Sequence, residues 1–531
     1  MAAFLNKIFG RDILFILIVG LVSAPVLVVL SSWSTPMDDI FIHLLGTELP
    51  VILANTVWLL VGVAIGTTVL GCSLAWMTTR LEFPCRSLFD WALILPLAIP
   101  TYVLAFVHIF LFDSASMRLP IRSTGGVILV MTLSLYPYVY LFARNGFHTQ
   151  GARAAEVASS MGYRPAATFF KVTLPMSRPW IVNGLMLALM ETISDFGAVS
   201  IFNYDTMTTT IYKAWFSMFS LDAAAKFSSL LILLVFVLVL IEQSALRGRY
   251  ATAERQPAPI VRIPLMGARR LLATGYCTMI LLLSFIIPVL VLTRESFIGF
   301  ADNLDIRFVG FLNSSLLLAS VAALVTTASA LILVYTVRPS PAERSDQRLK
   351  KTFLKFATLG YALPGAILAV GGIILMTFVD HQLKRLHLTT GFFITGTLLA
   401  MILGYLTRFM VLAYNPLESA MHRITPQMGE AARSLGASSF RELRTIQIPL
   451  LRGGMLAGCL FVFIDVMKEM PITLMTRPFG WDTLAIRIFQ FTSEGEWEKA
   501  ALPALTLVLL GLIPVIFLTR QSLFRYSHAA D

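Results

Sequence analysis

Four acidic side chains lie within two long apolar runs of this sequence. Each run holds one pair spaced four residues apart, and the second pair follows the first at an offset of 274 residues; the four are Glu191, Asp195, Asp465 and Glu469. A spacing of four places both carboxylates of a pair on one face of a helix. A charge within a membrane span is costly, so such groups normally face a bundle interior or a water-filled path.

These pairs favour a translocation path that attracts cations. The alternative is structural: each carboxylate anchors a neighbouring element, with Lys468 or a backbone amide as its partner. A catalytic pair would require carboxylates brought together from two different helices, which the spacing does not show. We therefore predict no catalytic residue and no metal site.

The elements that carry these pairs are predicted to be membrane helices. Of the 531 residues, 57 % are hydrophobic and 13 % are charged, against roughly a quarter charged in soluble domains. Apolar runs of about 20 residues indicate a polytopic, all-α membrane protein. Twelve spans are predicted, near residues 13–31, 52–78, 87–112, 124–144, 179–202, 228–246, 271–293, 311–336, 354–379, 391–413, 453–475 and 500–519.

The twelve spans divide into two halves of six. An Arg- and Pro-rich stretch at 251–268 is predicted to link a first half at 1–250 to a second at 269–531. Segments predicted to be inside hold 29 of the 41 Lys and Arg residues, which indicates that both termini are cytoplasmic. Because the repeated segments then share one side of the membrane, the repeat is parallel.

Shorter matches support the repeat. Asn55-Thr56 corresponds to Asn313-Ser314, and Ala98-Ile99-Pro100 corresponds to Ala362-Leu363-Pro364. The halves also differ, since 12 residues separate Arg144 from Glu156 but 22 separate Arg408 from Glu430. Either the first connecting arm is shorter or its fourth span ends later.

Two polar segments interrupt the apolar runs. Residues 156–175 and 430–449 both read Glu-x-Ala-x-x-x-Gly, nine residues, an aliphatic residue, any residue, an aliphatic residue and Pro. Glutamate suits the first turn of a helix, and glycine commonly ends one. This pattern predicts a short helix and a docking surface used twice. The alternative is an amphipathic helix resting on lipid headgroups.

The two segments resemble the cytoplasmic coupling loop of ABC-importer permeases, with loops at 153–178 and 425–452. This resemblance implies a type I permease fold with both membrane subunits fused in one chain. It implies an alternating-access importer with a cytoplasmic ATPase dimer and an external substrate-binding protein as partners. The residues that it assigns to ATPase coupling are Glu156, Ala158, Gly162, Pro175, Glu430, Ala431, Ala432, Gly436 and Pro449.

The stretch Asp195–Phe202 and onward to Trp215 resembles the permeases of bacterial ferric-iron importers, as does Phe479–Leu484. The second half departs at Glu469-Met470-Pro471-Ile472. Permeases for thiamine or phosphonates share the fused layout and are the alternative. The resemblance places the chain in a bacterial inner membrane.

The sequence has no Gly-Lys dipeptide and hence no phosphate-binding loop of the G-x-x-x-x-G-K-[ST] type. We therefore expect ATP and Mg to bind a separate ATPase, no cofactor on this chain, no nucleic-acid partner, and transport rather than an enzymatic reaction. An ion-driven secondary transporter would also explain twelve spans and membrane carboxylates. It would not require the repeated polar segments.

Overall fold

A computed structural model describes residues 2–114, 120–149, 157–158, 160–246, 262–298, 306–337, 344–387 and 394–527. These residues are almost entirely α-helical. The helices up to the linker are α1 Ala2–Ser31, α2 Asp39–Thr47, α3 Leu49–Arg80, α4 Arg86–Ala92, α5 Thr101–Ser114, α6 Thr124–Thr149, α7 Pro165–Thr168, α8 Leu174–Met176, α9 Arg178–Ser194, α10 Gly197–Ile201, α11 Met207–Tyr212 and α12 Leu221–Leu246.

The remaining helices follow a similar order. They are α13 Ala268–Leu281, α14 Ile287–Ile298, α15 Ile306–Val337, α16 Arg344–Thr358, α17 Gly365–Arg385, α18 Leu398–Met421, α19 Pro426–Ser434, α20 Ser439–Glu442, α21 Ile448–Lys468, α22 Pro471–Thr476, α23 Leu484–Ser493 and α24 Trp497–Ser527.

Short turns and strands complete the chain. The 3₁₀ turns are Ser32–Ser34, Leu95–Ala98 and Leu359–Ala362, and the π turns are Phe169–Thr173, Lys213–Ser217, Leu282–Ile286 and Leu443–Gln447. Two-residue strands, β1 Leu81–Glu82 and β2 Ile263–Pro264, pair in parallel. The end of the predicted linker is therefore held against the turn that follows α3.

Ten helices in the described ranges are long and apolar enough to cross a membrane, and eleven if the bent pair 86–98 and 101–113 is one span. One of the twelve predicted spans, 179–202, is not among these helices. There the helix is interrupted, so α9 has only 17 residues and continues after a break as α10.

Spans three and nine are also broken, and in the same way. The 3₁₀ turns Leu95–Ala98 and Leu359–Ala362 each end two residues before a proline, Pro100 or Pro364. Proline lacks an N–H and restricts the residue before it, so a helix does not continue through such a turn. The first pair of helices is bent by 95°. The tripeptide match in the sequence thus marks the same turn twice.

The fourth spans begin in register. Helix α6 starts at Thr124 and α18 at Leu398, an offset of 274. At this offset Arg408 corresponds to Ser134, so Arg144 and Arg408 are not equivalent positions. Helix α6 continues past Arg144 to Thr149. Of the two alternatives for the first half, the later end of span four is the one observed.

The packing divides the chain into two compact units whose segments alternate along the sequence. One comprises 1–41, 211–229 and 305–487, and the other 42–210, 230–304 and 488–531. In the first unit α1 packs against α17, and in the second α14 packs against α24 and α5. The compact units therefore cut across the sequence division at 251–268.

Glycines permit close helix contacts at equivalent places in both units. A Cβ on Gly184 of α9 would lie 2.9 Å from the Tyr138 carbonyl oxygen of α6. A Cβ on Gly458 of α21 would lie 3.0 Å from the Ala413 Cα of α18. Small residues that let membrane helices approach are typical of their interfaces. This packing fixes the helices that enter and leave each polar segment.

Candidate functional site

The second polar segment forms a short helix that ends at a glycine. Helix α19 carries Glu430, Ala431 and Ala432, and the chain turns at Gly436, whose φ is +79°. The Ala437 N–H donates to the Ala432 carbonyl at 3.0 Å. A left-handed residue followed by a bond of this type is the usual way for a helix to end at glycine. The predicted helix and its end are both observed.

The first polar segment repeats this turn. Gly162 has a φ of +82°, and the Tyr163 N–H donates to the Ala158 carbonyl at 3.1 Å. The Met161 N–H donates to the Val157 carbonyl at 3.0 Å, as the Leu435 N–H does to the Ala431 carbonyl at 3.1 Å. Glu156 lies outside the described residues. The equivalence of the two turns thus extends from the residue types to the backbone hydrogen bonds.

Each turn buries a small residue and exposes a large apolar one. Ala158 and Ala432 are 4 % and 6 % exposed, whereas Met161 and Leu435 are 71 % and 89 % exposed. In both segments the exposed apolar side chain directly precedes the turn glycine. The same arrangement at both sites gives two surfaces of similar composition.

The chain leaves each turn through a π turn. These turns, Phe169–Thr173 and Leu443–Gln447, precede Pro175 and Pro449, both of which are exposed. In the second loop the Gln447 amide donates to the buried Glu442 carboxylate at 2.8 Å. The equivalent residues of the first loop are Thr168 and Thr173, both buried. The two loops therefore share a backbone path but differ in the side chains that support it.

The predicted path residue Asp195 lies at the end of α9, where the span breaks. Its Oδ1 accepts the N–H groups of Ala198 and Val199 at 2.9 and 3.2 Å. Its Oδ2 accepts the hydroxyl hydrogen of Thr101 at 2.5 Å. The carboxylate therefore caps α10 by satisfying amide groups that have no partner within that helix.

Glu469 occupies the equivalent break at the end of α21. Its Oε2 accepts the N–H groups of Ile472 and Thr473 at 3.0 and 3.2 Å, which caps α22. Its second neighbour is an arginine, since Arg408 Nη1 of α18 lies 3.4 Å from Glu469 Oε1. Both side chains of this ion pair are largely buried. The cap is thus neutralised by a cation.

The other two predicted path residues lie one helical turn before the breaks. Glu191 on α9 and Asp465 on α21 are half-buried. For Asp195 and Glu469 the structure shows the contacts with backbone amides that the structural alternative predicted. A role of these four residues in a translocation path stays a prediction.

The structure shifts one sequence match by a single residue. Thr56 Oγ1 accepts the Met207 N–H at the start of α11 at 3.3 Å. Ser315 Oγ accepts the Leu484 N–H at the start of α23 at 2.9 Å. The residue of the second repeat that is equivalent to Thr56 is therefore Ser315 rather than Ser314. The sequence aligned Asn55-Thr56 with Asn313-Ser314 because the two dipeptides are similar. The equivalent hydrogen bonds shift this alignment by one residue.

Two residues at the breaks were missed by the sequence reasoning. Arg408 is a charge within the apolar run 391–413, and that position alone was a signal that it needs a buried partner. Thr101 gave no comparable signal, because a threonine is common in apolar helices. Only the fold brings its hydroxyl group to Asp195.

With the loops and breaks located, comparison with known proteins assigns the chain to a family. Residues 67–246 and 340–527 match the family described as "Binding-protein-dependent transport system inner membrane component". The chain belongs to this family. The two matched ranges contain the two polar segments, so the family domain is present twice in one permease.

Relatives cover the chain to different extents. It is 29 % identical over 477 residues to the Fe(3+)-transport system permease protein FbpB 2 of Haemophilus influenzae, covering 89 % of this chain and 90 % of that protein. It is 19 % identical to the ferric transport system permease protein FbpB of Actinobacillus pleuropneumoniae, over 88 % of this chain and 70 % of that protein. It is 27 % identical to the molybdate/tungstate transport system permease protein WtpB of Pyrococcus abyssi, over 34 % of this chain and 71 % of that protein. Of these three relatives, the two that match nearly the whole of this chain are named for ferric iron.

Proposed function

We propose that this permease imports ferric iron by alternating access, driven by a separate ATPase that binds both loops. The observation that carries the coupling role is the repeated turn at Gly162 and Gly436, with equivalent hydrogen bonds and an exposed apolar side chain beside each glycine. Two similar surfaces fit a partner with two similar subunits. ATP and Mg bind that partner.

The substrate assignment is supported by similarity along nearly the whole chain. The relative at 29 % identity over 89 % of this chain is named for Fe(3+) transport. The permeases named for 2-aminoethylphosphonate and for molybdate/tungstate match about a third of the chain. A phosphonate, thiamine or other small solute is the alternative substrate.

The proposed setting is a bacterial inner membrane with both termini in the cytoplasm. The excess of Lys and Arg in alternate connecting segments supports this orientation. It places both loops on the side where ATP is available and leaves the opposite side for a substrate-binding protein. The carboxylates Glu191 and Asp465 are proposed to line the path for a cation.

The coupling role is tested by substituting the turn glycine. Gly436→Val forces a β-branched residue into the left-handed region, so the turn must change and the ATPase should no longer co-purify. Gly480→Val is the matched control, because Gly480 has a φ of +82° in a different loop and, like Gly436, has open space around its Cα. Leu435→Glu tests the surface while keeping the glycine. Normal co-purification of both Gly436→Val and Leu435→Glu would overturn the coupling role.

The substrate is tested by uptake into vesicles that contain the permease with its ATPase and binding protein. Radiolabelled ferric iron should accumulate only when ATP is supplied on the loop side, and molybdate, 2-aminoethylphosphonate and thiamine should not. Uptake of one of these solutes instead would assign the substrate to that alternative. Uptake without the ATPase under a proton gradient would establish a secondary transporter.

The path is tested with neutral isosteres. Glu191→Gln and Asp465→Asn should slow iron uptake severalfold while leaving ATPase co-purification unchanged. Asp222→Asn, an exposed acidic residue in the first turn of α12, is the control. Unchanged uptake in both path variants would leave these carboxylates a structural role.

A further inference from the structure

Helix α16, Arg344–Thr358, has three distinct faces along its described side chains. Lys350, Leu354 and Ala357 are buried against the protein. Three large apolar residues are exposed on a second face, and two lysines are exposed on a third; these are Leu349, Phe353 and Phe356, then Lys351 and Lys355. At 3.6 residues per turn, each set lies on one side of the helix.

The exposed apolar face suits lipid chains. Helix α16 directly precedes the 3₁₀ turn Leu359–Ala362 and the membrane-spanning α17, so it lies beside the end of a span. Two phenylalanines and a leucine would be unfavourable in water at this position. An amphipathic helix with such a face rests in the plane of the membrane surface.

The basic face selects the headgroup. Lys350 donates to the Asp12 carboxylate at 3.0 Å and is therefore neutralised within its own unit. Among the residues that the structure covers, Lys351 and Lys355 form no ion pair. Two cationic groups next to a lipid-facing surface attract anionic headgroups.

The equivalent helix of the first repeat lacks this charge. At the offset of 264 that relates the two 3₁₀ turns, Ser87 and Trp91 of α4 replace Lys351 and Lys355. Asp90 of α4 instead accepts a bond from Arg144 at 2.5 Å. The basic face is therefore a property of one repeat rather than a general requirement of the fold.

We propose that α16 is a binding site for anionic lipid, with Lys351 and Lys355 contacting the headgroup phosphate and Leu349, Phe353 and Phe356 contacting the acyl chains. The bond from Lys350 to Asp12 joins this site to α1. The site is distinct from the two loops and from the breaks at Asp195 and Glu469.

The test measures lipid binding to the purified full chain by native mass spectrometry, with phosphatidylglycerol and phosphatidylcholine as probes. Phosphatidylglycerol should bind in preference, and the double variant K351E/K355E should bind it about fivefold more weakly. The control K384E/R385E makes the same change of charge at the exposed end of α17 and should lower binding less than twofold. The variant F353S/F356S should weaken binding of both lipids.

The salt dependence of lipid binding by the unmodified protein provides a test that does not depend on the folding of any variant. Because the proposed selectivity is electrostatic, high salt should reduce the preference for phosphatidylglycerol. Equal binding of the two lipids, a preference that persists at high salt, or normal phosphatidylglycerol binding by K351E/K355E would each overturn the site. Unchanged lipid binding with lost ATPase co-purification would assign the face to a protein partner instead.

Discussion

The breaks at the ends of α9 and α21 are both capped by a carboxylate, but the side chains that contact the two carboxylates differ. Asp195 and Glu469 occupy equivalent positions, and each accepts two backbone N–H groups from the short helix that follows. Asp195 accepts a further bond from the hydroxyl group of Thr101. Glu469 accepts a bond from the hydroxyl group of Thr473 at 3.3 Å and, unlike Asp195, also forms an ion pair with Arg408. Among the described residues, Asp195 forms no ion pair. The breaks therefore require a capping carboxylate, while its countercharge is a feature of one repeat alone.

A glycine accounts for part of this difference. Thr101 and Gly365 occupy equivalent positions at the starts of α5 and α17. A Cβ on Gly365 would lie 2.5 Å from Arg408 Nη1 and 2.6 Å from Glu469 Oε1. The second repeat thus leaves space for the arginine at the place where the first repeat provides a hydroxyl group. Substitutions at these positions test whether the ion pair and the hydroxyl group stabilise their breaks to different extents.

The largest effect is expected for Glu469→Gln. The amide side chain can still accept backbone N–H groups, but Arg408 loses its anion in a buried site, which should cost about 3–5 kcal/mol of unfolding free energy. Unfolding by titration with sodium dodecyl sulfate measures this cost. The double variant with Arg408→Gln is the control, because removing both charges should restore part of the loss. A double variant as unstable as the sum of its singles would mean that the pair contributes nothing by itself.

The sequence predicted the repeats and loops better than the breaks. The glycine turns were predictable because residue type and backbone conformation are directly linked at Gly162 and Gly436. The carboxylates were recognised as a repeated pair, and backbone amides were named as one alternative partner, but the sequence did not decide between that alternative and a path. Whether Asp195 faces a path or a backbone amide depends on where the helix stops, and apolar residues continue on both sides of that point.

The alternation of sequence segments between the two compact units could not be predicted from the sequence pattern either. Hydropathy shows that α1 is long and apolar, but it carries no information on which later helix α1 contacts. Its packing against α17 depends on a close approach in which a Cβ on Gly371 would lie 2.2 Å from the Pro25 carbonyl oxygen. Such surface complementarity arises only when both helices are in place.

Gly365→Ala should have the next largest effect. The added methyl group must displace Arg408 or Glu469, which should cost about 1–3 kcal/mol in the same unfolding assay. Gly20→Ala in α1 is the control, since no atom of the described residues lies within 4 Å of its added Cβ, and it should be neutral or slightly stabilising. If Gly365→Ala were equally harmless, the space beside the ion pair would not be required.

Asp195→Asn applies the substitution made at Glu469 to the first repeat and should cost only about 1 kcal/mol, since asparagine and aspartate are comparable caps and no cation loses its partner. The comparison with Glu469→Gln in one detergent is the measurement, and each serves as the other's control. Equal losses at the two breaks would show that the cap, rather than the arginine, determines the difference.

Thr101→Val should have the smallest effect. The substitution keeps the side-chain shape and removes one hydrogen bond, while Asp195 retains the N–H groups of Ala198 and Val199. Hydrogen bonds between membrane helices average about 0.6 kcal/mol, so the loss should be near that value. Thr506→Val controls for the change of residue type, because among the described residues the Thr506 hydroxyl group bonds only to the Leu502 carbonyl of its own helix. A loss as large as that of Glu469→Gln would contradict the distinction between the repeats, because the hydroxyl group would then stabilise its break as strongly as the cation stabilises the other.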